Sequence, residues 1–179
     1  MTEKFNEPFP LAYGTYDDAV KMLNKPGEKV LAEFSVNWEM IKIYCSMVED
    51  GNASYWDEGY ANKQWGGIVA PLGLLLTWPM SLQWHPKKER KHYFIAMTIP
   101  LPGDTIINVA TNTEFHRHLY LGDRVSVVDE LTDVSEEKKT RLGVGHFLTT
   151  KAQFFNQREQ LIAEQTNSLF RYYVPEGES

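Results

Sequence analysis

Cysteine is almost missing from this chain. Cys45 stands alone, so no disulfide can close within it. The thiol lies in an apolar-periodic stretch with no His or Asn support nearby, which predicts a buried side chain rather than a nucleophile. No apolar run approaches the ~18 residues of a membrane span, and the N-terminus has no signal-peptide core. Positive charge is also scarce. A formal net charge of −6 argues against nucleic acid or an anionic membrane as the main partner, since both demand a basic face. Repeats, low-complexity runs and linkers are absent, and so are metal, flavin and nicotinamide motifs. These absences leave a soluble, reducing, cytoplasmic protein of one domain covering 1–179, in which 1–30 form an N-terminal arm and a short helix.

What is present is aromatic and apolar. Five Trp and nine Tyr suit a large interior or interface. Thr15 and Asp18 have the spacing of a capping box for a helix running to Leu23. A short strand is expected over Val30–Val36. Asn37 is placed to cap a helix carrying Met40, Tyr44, Met47 and Val48, which stops at the turn-rich Asp50-Gly51-Asn52. From Ser54 to Gly67 the pattern reads as irregular. Pro71 to Trp78 then reads as a helix apolar nearly all round, hence buried, with Pro79 ending it.

Beyond the charged loop His85–His92 the periodicity changes to two. Ile106–His118, Arg124–Val134, Leu142–Asn156 and Leu161–Tyr173 read as long strands of an antiparallel meander, with Leu121–Asp123, Asp133–Arg141 and Asn156–Gln160 as turns. Helices first and strands afterwards imply an α+β domain, one sheet with helices on one face.

The stretch YCSMVEDGNASYWDEGYA, Tyr44 to Ala61, resembles the active-site loop of the MaoC-like, type-2 enoyl-CoA hydratases. Their loop runs Tyr, apolar residues, Gly-Asp-x-Asn-Pro-x-His, five residues and a small one. Tyr44, Asp50, Asn52 and Ala61 match it. GGIVAPLGLLL is similar to the start of that family's central helix. FHRHLYLGDRVSV and the stretch from Val144 to Arg171 are similar to strands of the related FAS1-like dehydratase, or MaoC-like N-terminal, domain. The resemblance implies a hotdog fold, a long antiparallel sheet wrapped around a central apolar helix.

The departures bear on chemistry. Glu49 replaces the Gly, Ala53 the Pro and Tyr55 the His. In the family, Asp and His activate water for addition to an enoyl thioester. A base serves best with a pKa near the working pH, whereas a phenol titrates near ~10. Ala70 and Pro71 stand where the family has His-Gly, whose glycine N–H holds the thioester oxygen, and proline has no N–H. The resemblance therefore implies a catalytically silent subunit of a heteromeric enoyl-CoA hydratase or 3-hydroxyacyl dehydratase. A homologous MaoC-like partner would supply Asp and His, in a heterodimer or heterotetramer. The substrate would be an acyl-CoA, with a bulky acyl group favoured and no cofactor besides the thioester itself.

On this reading Asp50 and Asn52 are remnants with ordinary turn roles, and Tyr55, Trp65, Leu74 and Trp78 line the acyl groove. Lys87, Lys88, Arg90 and Lys91 are candidates for the CoA phosphates, with Arg117 and Arg124 behind them. Trp56 and Trp84 complete the aromatic group around the loop and helix. His116 and His118 share one strand face, but no third ligand accompanies them at metal spacing, so no metal is expected. His146 is an equally weak candidate. Three alternatives stay open: an active homomeric hydratase pairing Asp50 with a group such as His116, a non-enzymatic thioester- or lipid-binding module, and a thioesterase.

Overall fold

In the computed structural model, residues 11–80, 82, 86 and 94–175 are described. The first helix, α1 (Tyr16–Val20), opens with the expected capping box, Thr15 and Asp18 satisfying each other's backbone amides. A two-residue strand, β1 (Val30–Leu31), follows and is shorter than the Val30–Val36 expectation. Helix α2 (Trp38–Met47) is capped by Asn37, whose side chain accepts the Met40 amide at 2.9 Å. Its packed face carries Ile41 and Cys45, while Met47 and Val48 point outward. The helix leaves through Glu49, which adopts φ 56°, in the left-handed region that favours glycine.

The stretch expected to be irregular is helical. Asn52 caps α3 (Ala53–Trp56), and Asp57 caps α4 (Glu58–Trp65), which ends on Gly66 at φ 80°. The expected helix from Pro71 to Trp78 is a 3-10 helix over Leu72–Thr77. Pro79 ends it, because its ring would clash with the carbonyl one turn back and it has no N–H to bond it. Tight packing also constrains it, because a Cβ on Gly73 would lie 2.0 Å from the Tyr44 hydroxyl. Leu74, Leu75 and Trp78 are buried, whereas Leu72 is half exposed. A second 3-10 turn spans Ile95–Met97.

The remainder is sheet: β2 (Thr105–Phe115), β3 (Ser126–Val134), β4 (Lys138–Lys139), β5 (Val144–Phe155) and β6 (Leu161–Tyr173). All pairings are antiparallel, in the order β1-β3-β5-β6-β2, with β4 added to β5. The expected simple meander is thus corrected. β2 pairs with β6, not with its sequence neighbour β3, and the Leu121–Asp123 turn carries the chain across the sheet. Asp123 anchors that turn by accepting the Tyr120 amide at 2.9 Å and a Gln157 side-chain N–H at 2.9 Å.

Cross-strand register defines rows on the inner face. Val127, Phe154, Ala163 and Phe115 form one row, of which Val127, Phe154 and Ala163 are buried in an apolar cluster with Ile41, Cys45, Leu74, Leu75 and Trp78 while Phe115 is exposed. At the other end Leu131, Val134 and Leu148 pack with Ala19, Ile95, Ile99 and Leu101 in a second cluster. Arg171 is fully buried there, donating from Nε to Gly103 O at 3.0 Å and from Nη1 to Ile99 O at 2.9 Å. No helix among the described residues is long and apolar enough to cross a membrane.

Candidate functional site

The loop at the end of α2 spends its polar side chains on its own backbone. Asp50 Oδ1 accepts the Asn52 amide at 3.0 Å, and Asn52 Oδ1 accepts the Ser54 amide at 3.0 Å. The Trp56 indole donates to Asp50 O at 2.6 Å, while the Asp50 amide donates to Cys45 O. Both motif residues therefore hold a turn and a helix cap, the ordinary use of Asp and Asn where a chain reverses.

Tyr55 is half-buried against the larger apolar cluster. Burial raises its phenol above the usual value, and the nearby Asp50, Cys45 and Tyr44 raise it further. A phenol titrates well above neutral to begin with, and these surroundings carry it further. Burial raises the Cys45 thiol too, with Asp50 adding to it, so the expectation of an inert buried cysteine holds.

Trp65 joins this loop to the stretch leaving β2. Its indole donates to Ser54 Oγ at 2.9 Å, its ring packs on His118 at 4.7 Å, and its carbonyl accepts the Tyr120 hydroxyl at 3.1 Å. The neighbouring Ala70 amide donates to Leu119 O at 2.7 Å. The position at which the resemblance puts the thioester-holding glycine is Pro71, which has no N–H to give, and the preceding amide, that of Ala70, is spent on Leu119. Beside them lies a slot lined by Ala70, Pro71, Leu72, Leu75 and Phe115, with Arg117 at its rim. Among the described residues the Arg117 guanidinium has no partner, whereas Arg124 Nε is tied to Ala32 O at 2.9 Å.

Of the four groove candidates, Leu74 and Trp78 are buried in the core, Tyr55 packs against it and Trp65 is partly exposed. Slot-lining Leu72, Leu75 and Phe115 were not singled out from sequence. The turn from α-helical to 3-10 geometry changes which leucines face it, and Phe115 arrives from a distant strand. The Trp78 indole N–H is buried without an acceptor among the described residues. Lys87, Lys88, Arg90, Lys91 and Trp84 lie outside those residues.

The expected strand face shared by His116 and His118 is not formed, because β2 ends at Phe115. His116 turns to Glu164 at 3.4 Å and Glu114 at 3.9 Å. These three residues bring ligand-type atoms within 4.8 Å of one another, a grouping hidden from sequence because Glu164 comes from β6. Lys151 already stands 2.6 Å from Glu164, and this contact, with Gln153 and His116 helping, holds that carboxyl at about 2. His146 is buried, bonded to Ser135 O at 2.9 Å and stacked on Tyr16, which is a structural role.

A long antiparallel sheet closing over a short apolar helical segment defines a hotdog domain. Residues 28–165 match the family described as FAS1-like, dehydratase domain region, and the chain belongs to that family. It is 32% identical over 152 residues to a probable enoyl-CoA hydratase alpha subunit of Thermomonospora curvata, covering 82% of this chain and 48% of that protein. It is 35% identical over 130 residues to the 3-oxo-4,17-pregnadiene-20-carboxyl-CoA hydratase alpha subunit of Mycobacterium tuberculosis, covering 69% of this chain and 40% of that protein. The chain thus spans about half the length of the curated relatives it matches. In structure it is similar to a chain of the ChsH1-ChsH2 complex from Mycobacterium tuberculosis, with TM-score 0.72, 24% identity, and coverage of 90% of this chain and 96% of that one.

Proposed function

We propose that this chain is the acyl-binding, non-catalytic half of a heteromeric enoyl-CoA hydratase or 3-hydroxyacyl dehydratase, and that a homologous MaoC-like subunit supplies Asp and His. The observation that carries the reading is the state of the loop. Asp50 and Asn52 are committed to backbone amides, Tyr55 is a phenol raised further from neutral, and Ala70 and Pro71 present no donor to a thioester oxygen. Hydration requires a base to take a proton from water as its oxygen bonds to the β-carbon, and the α-carbon then receives a proton. It also requires donors for the negative charge gathering on the thioester oxygen.

Two further observations support a partner. β2 is an eleven-residue strand at the sheet edge, exposed along most of its length. Such an edge invites a second strand. Relatives bear alpha-subunit names, one of them for a pregnadiene-carboxyl-CoA, which favours a bulky acyl-CoA as substrate.

The test is co-expression of this chain with a MaoC-like subunit that retains the Asp-x-Asn-Pro-x-His loop, followed by assay of enoyl-CoA hydration for each chain alone and for the mixture. Activity confined to the mixture is expected. Turnover by this chain alone overturns the reading.

A further inference from the structure

The slot beside Pro71 is built from three separate stretches of chain. Leu72 and Leu75 come from the leucine-rich segment, Phe115 and Arg117 from the end of β2 and the stretch leaving it, and Ile162 from β6. Leu72 and Leu75 are three residues apart in a 3-10 helix, where side chains at that spacing eclipse, so they form one wall. Leu72 is 50% exposed and Phe115 36%. Two large apolar side chains therefore stand in water at the slot. The chain is fixed where Arg117 meets it, because the His116 and Arg117 amides both donate to Ile162 O, at 2.8 and 3.2 Å.

Arg117 is the charged member of an otherwise apolar lining. Its guanidinium has no partner among the described residues, whereas Arg124 Nε, seven positions on, is tied to Ala32 O. The complement of this arrangement is one anion joined directly to a hydrocarbon. A guanidinium presents paired N–H groups that match both oxygens of a carboxylate. A phosphate dianion fits less well, since a single cation faces it in a chain of net charge −6. A plain hydrocarbon would leave Arg117 unmatched. The cleft, open at its mouth, encloses about 210 Å³. That is room for roughly seven groups of water's size at ~30 Å³ each, or a tail of about five carbons with space to spare.

We infer that the slot is a binding site for a free short-chain monocarboxylate, its carboxylate on the Arg117 guanidinium and its tail against Leu72, Leu75, Phe115 and Ile162. The inference goes beyond the hydratase reading, because the ligand is an acid rather than a thioester and the site is complete without a partner subunit.

The full chain is titrated by calorimetry, at neutral pH and constant ionic strength, with hexanoate, hexan-1-ol, acetate and inorganic phosphate. Hexanoate is expected to saturate one site with a Kd near ~1 mM. It should bind about tenfold more tightly than hexan-1-ol or acetate. Affinity should rise about two- to fourfold with each methylene from butanoate to hexanoate. Arg117→Gln should remove the advantage of hexanoate over hexan-1-ol, and Leu72→Asn should weaken both ligands. Arg117 is exposed and Leu72 half exposed, so both variants should keep the parent's thermal unfolding midpoint, recorded on the same samples. Lys138→Gln removes an equal charge from exposed β4 and should leave hexanoate binding unchanged. Equal affinity for hexanoate and hexan-1-ol overturns the inference, as does phosphate binding as tightly as hexanoate, or no saturation below ~10 mM. So does hexanoate binding that survives Arg117→Gln, or that falls as far with Lys138→Gln. Because this chain is titrated alone, the outcome is independent of the two-chain hydration test, and either reading can fall while the other stands.

Discussion

The Ala70 amide and the Leu119 carbonyl are 2.7 Å apart and hydrogen-bonded. This bond fastens the start of the leucine-rich segment to the stretch leaving β2, and it spends the amide next to Pro71, which has none of its own. A hydratase of the resembled type needs a free donor at this point. On the proposed reading, Pro71 leaves that point without one.

Restoring the missing imidazole should consequently not restore the reaction. The isolated Tyr55→His variant is expected to remain inactive in an enoyl-CoA hydration assay, because loss of a single oxyanion donor costs roughly a hundred- to a thousandfold. Asp50→Asn should leave the hydration rate of the two-chain complex unchanged, since the side chain serves a turn and the amide oxygen can still accept the Asn52 N–H.

Glu49 stands where related loops have glycine, and its φ of 56° explains that preference. A side chain in this region costs about 1–2 kcal/mol, part of which glycine returns through its freer unfolded chain. Glu49→Gly should raise the urea unfolding free energy by about 0.5–1 kcal/mol. A decrease would show that the carboxylate has a stabilising partner in solution.

Asp129 accepts the Ile95 amide at 2.6 Å from a half-buried position, and burial raises its carboxyl above the ordinary value. The folded state therefore binds this proton more tightly than the unfolded chain does. The destabilisation from ionising Asp129 is present at neutral pH and is relieved as pH falls through the raised folded value towards the unfolded one near ~3.9. Asp129→Asn keeps an acceptor for Ile95. The variant should be at least as stable as the parent at pH 7, and its advantage should shrink at pH 4–5 when unfolding is measured at both values.

Arg171 is fully buried and donates to two backbone carbonyls, Gly103 O and Ile99 O. Arg171→Leu removes both donors and leaves buried acceptors unpaired. It should lower stability by about 3 kcal/mol. A loss below ~1 kcal/mol would indicate that water replaces the guanidinium.

The four long strands were legible because one buried face imposes a period of two, and β6 (Leu161–Tyr173) begins and ends where the pattern does. The Thr15 box and the Asn37 cap were legible because capping is settled within four residues. The helix expected from Pro71 is a 3-10 helix cut short by Pro79, and the Tyr44 hydroxyl packs where a side chain at position 73 would stand. The aromatic stretch before it was misjudged because Asn52 and Asp57 begin two helices too short for hydrophobic periodicity to register. The motif put Asp50, Asn52 and Tyr55 in one loop, whereas Asn52 caps α3 and Tyr55 falls inside that helix.

The sequence by itself determined the α+β class and the family, because each is written in residue type and short spacing. The tertiary structure alone decided that β2 pairs with β6 and that Ala70 has spent its amide on Leu119. Those contacts join residues dozens of positions apart. Their partners are selected by which surfaces the whole chain can bury together, a choice that no local pattern encodes.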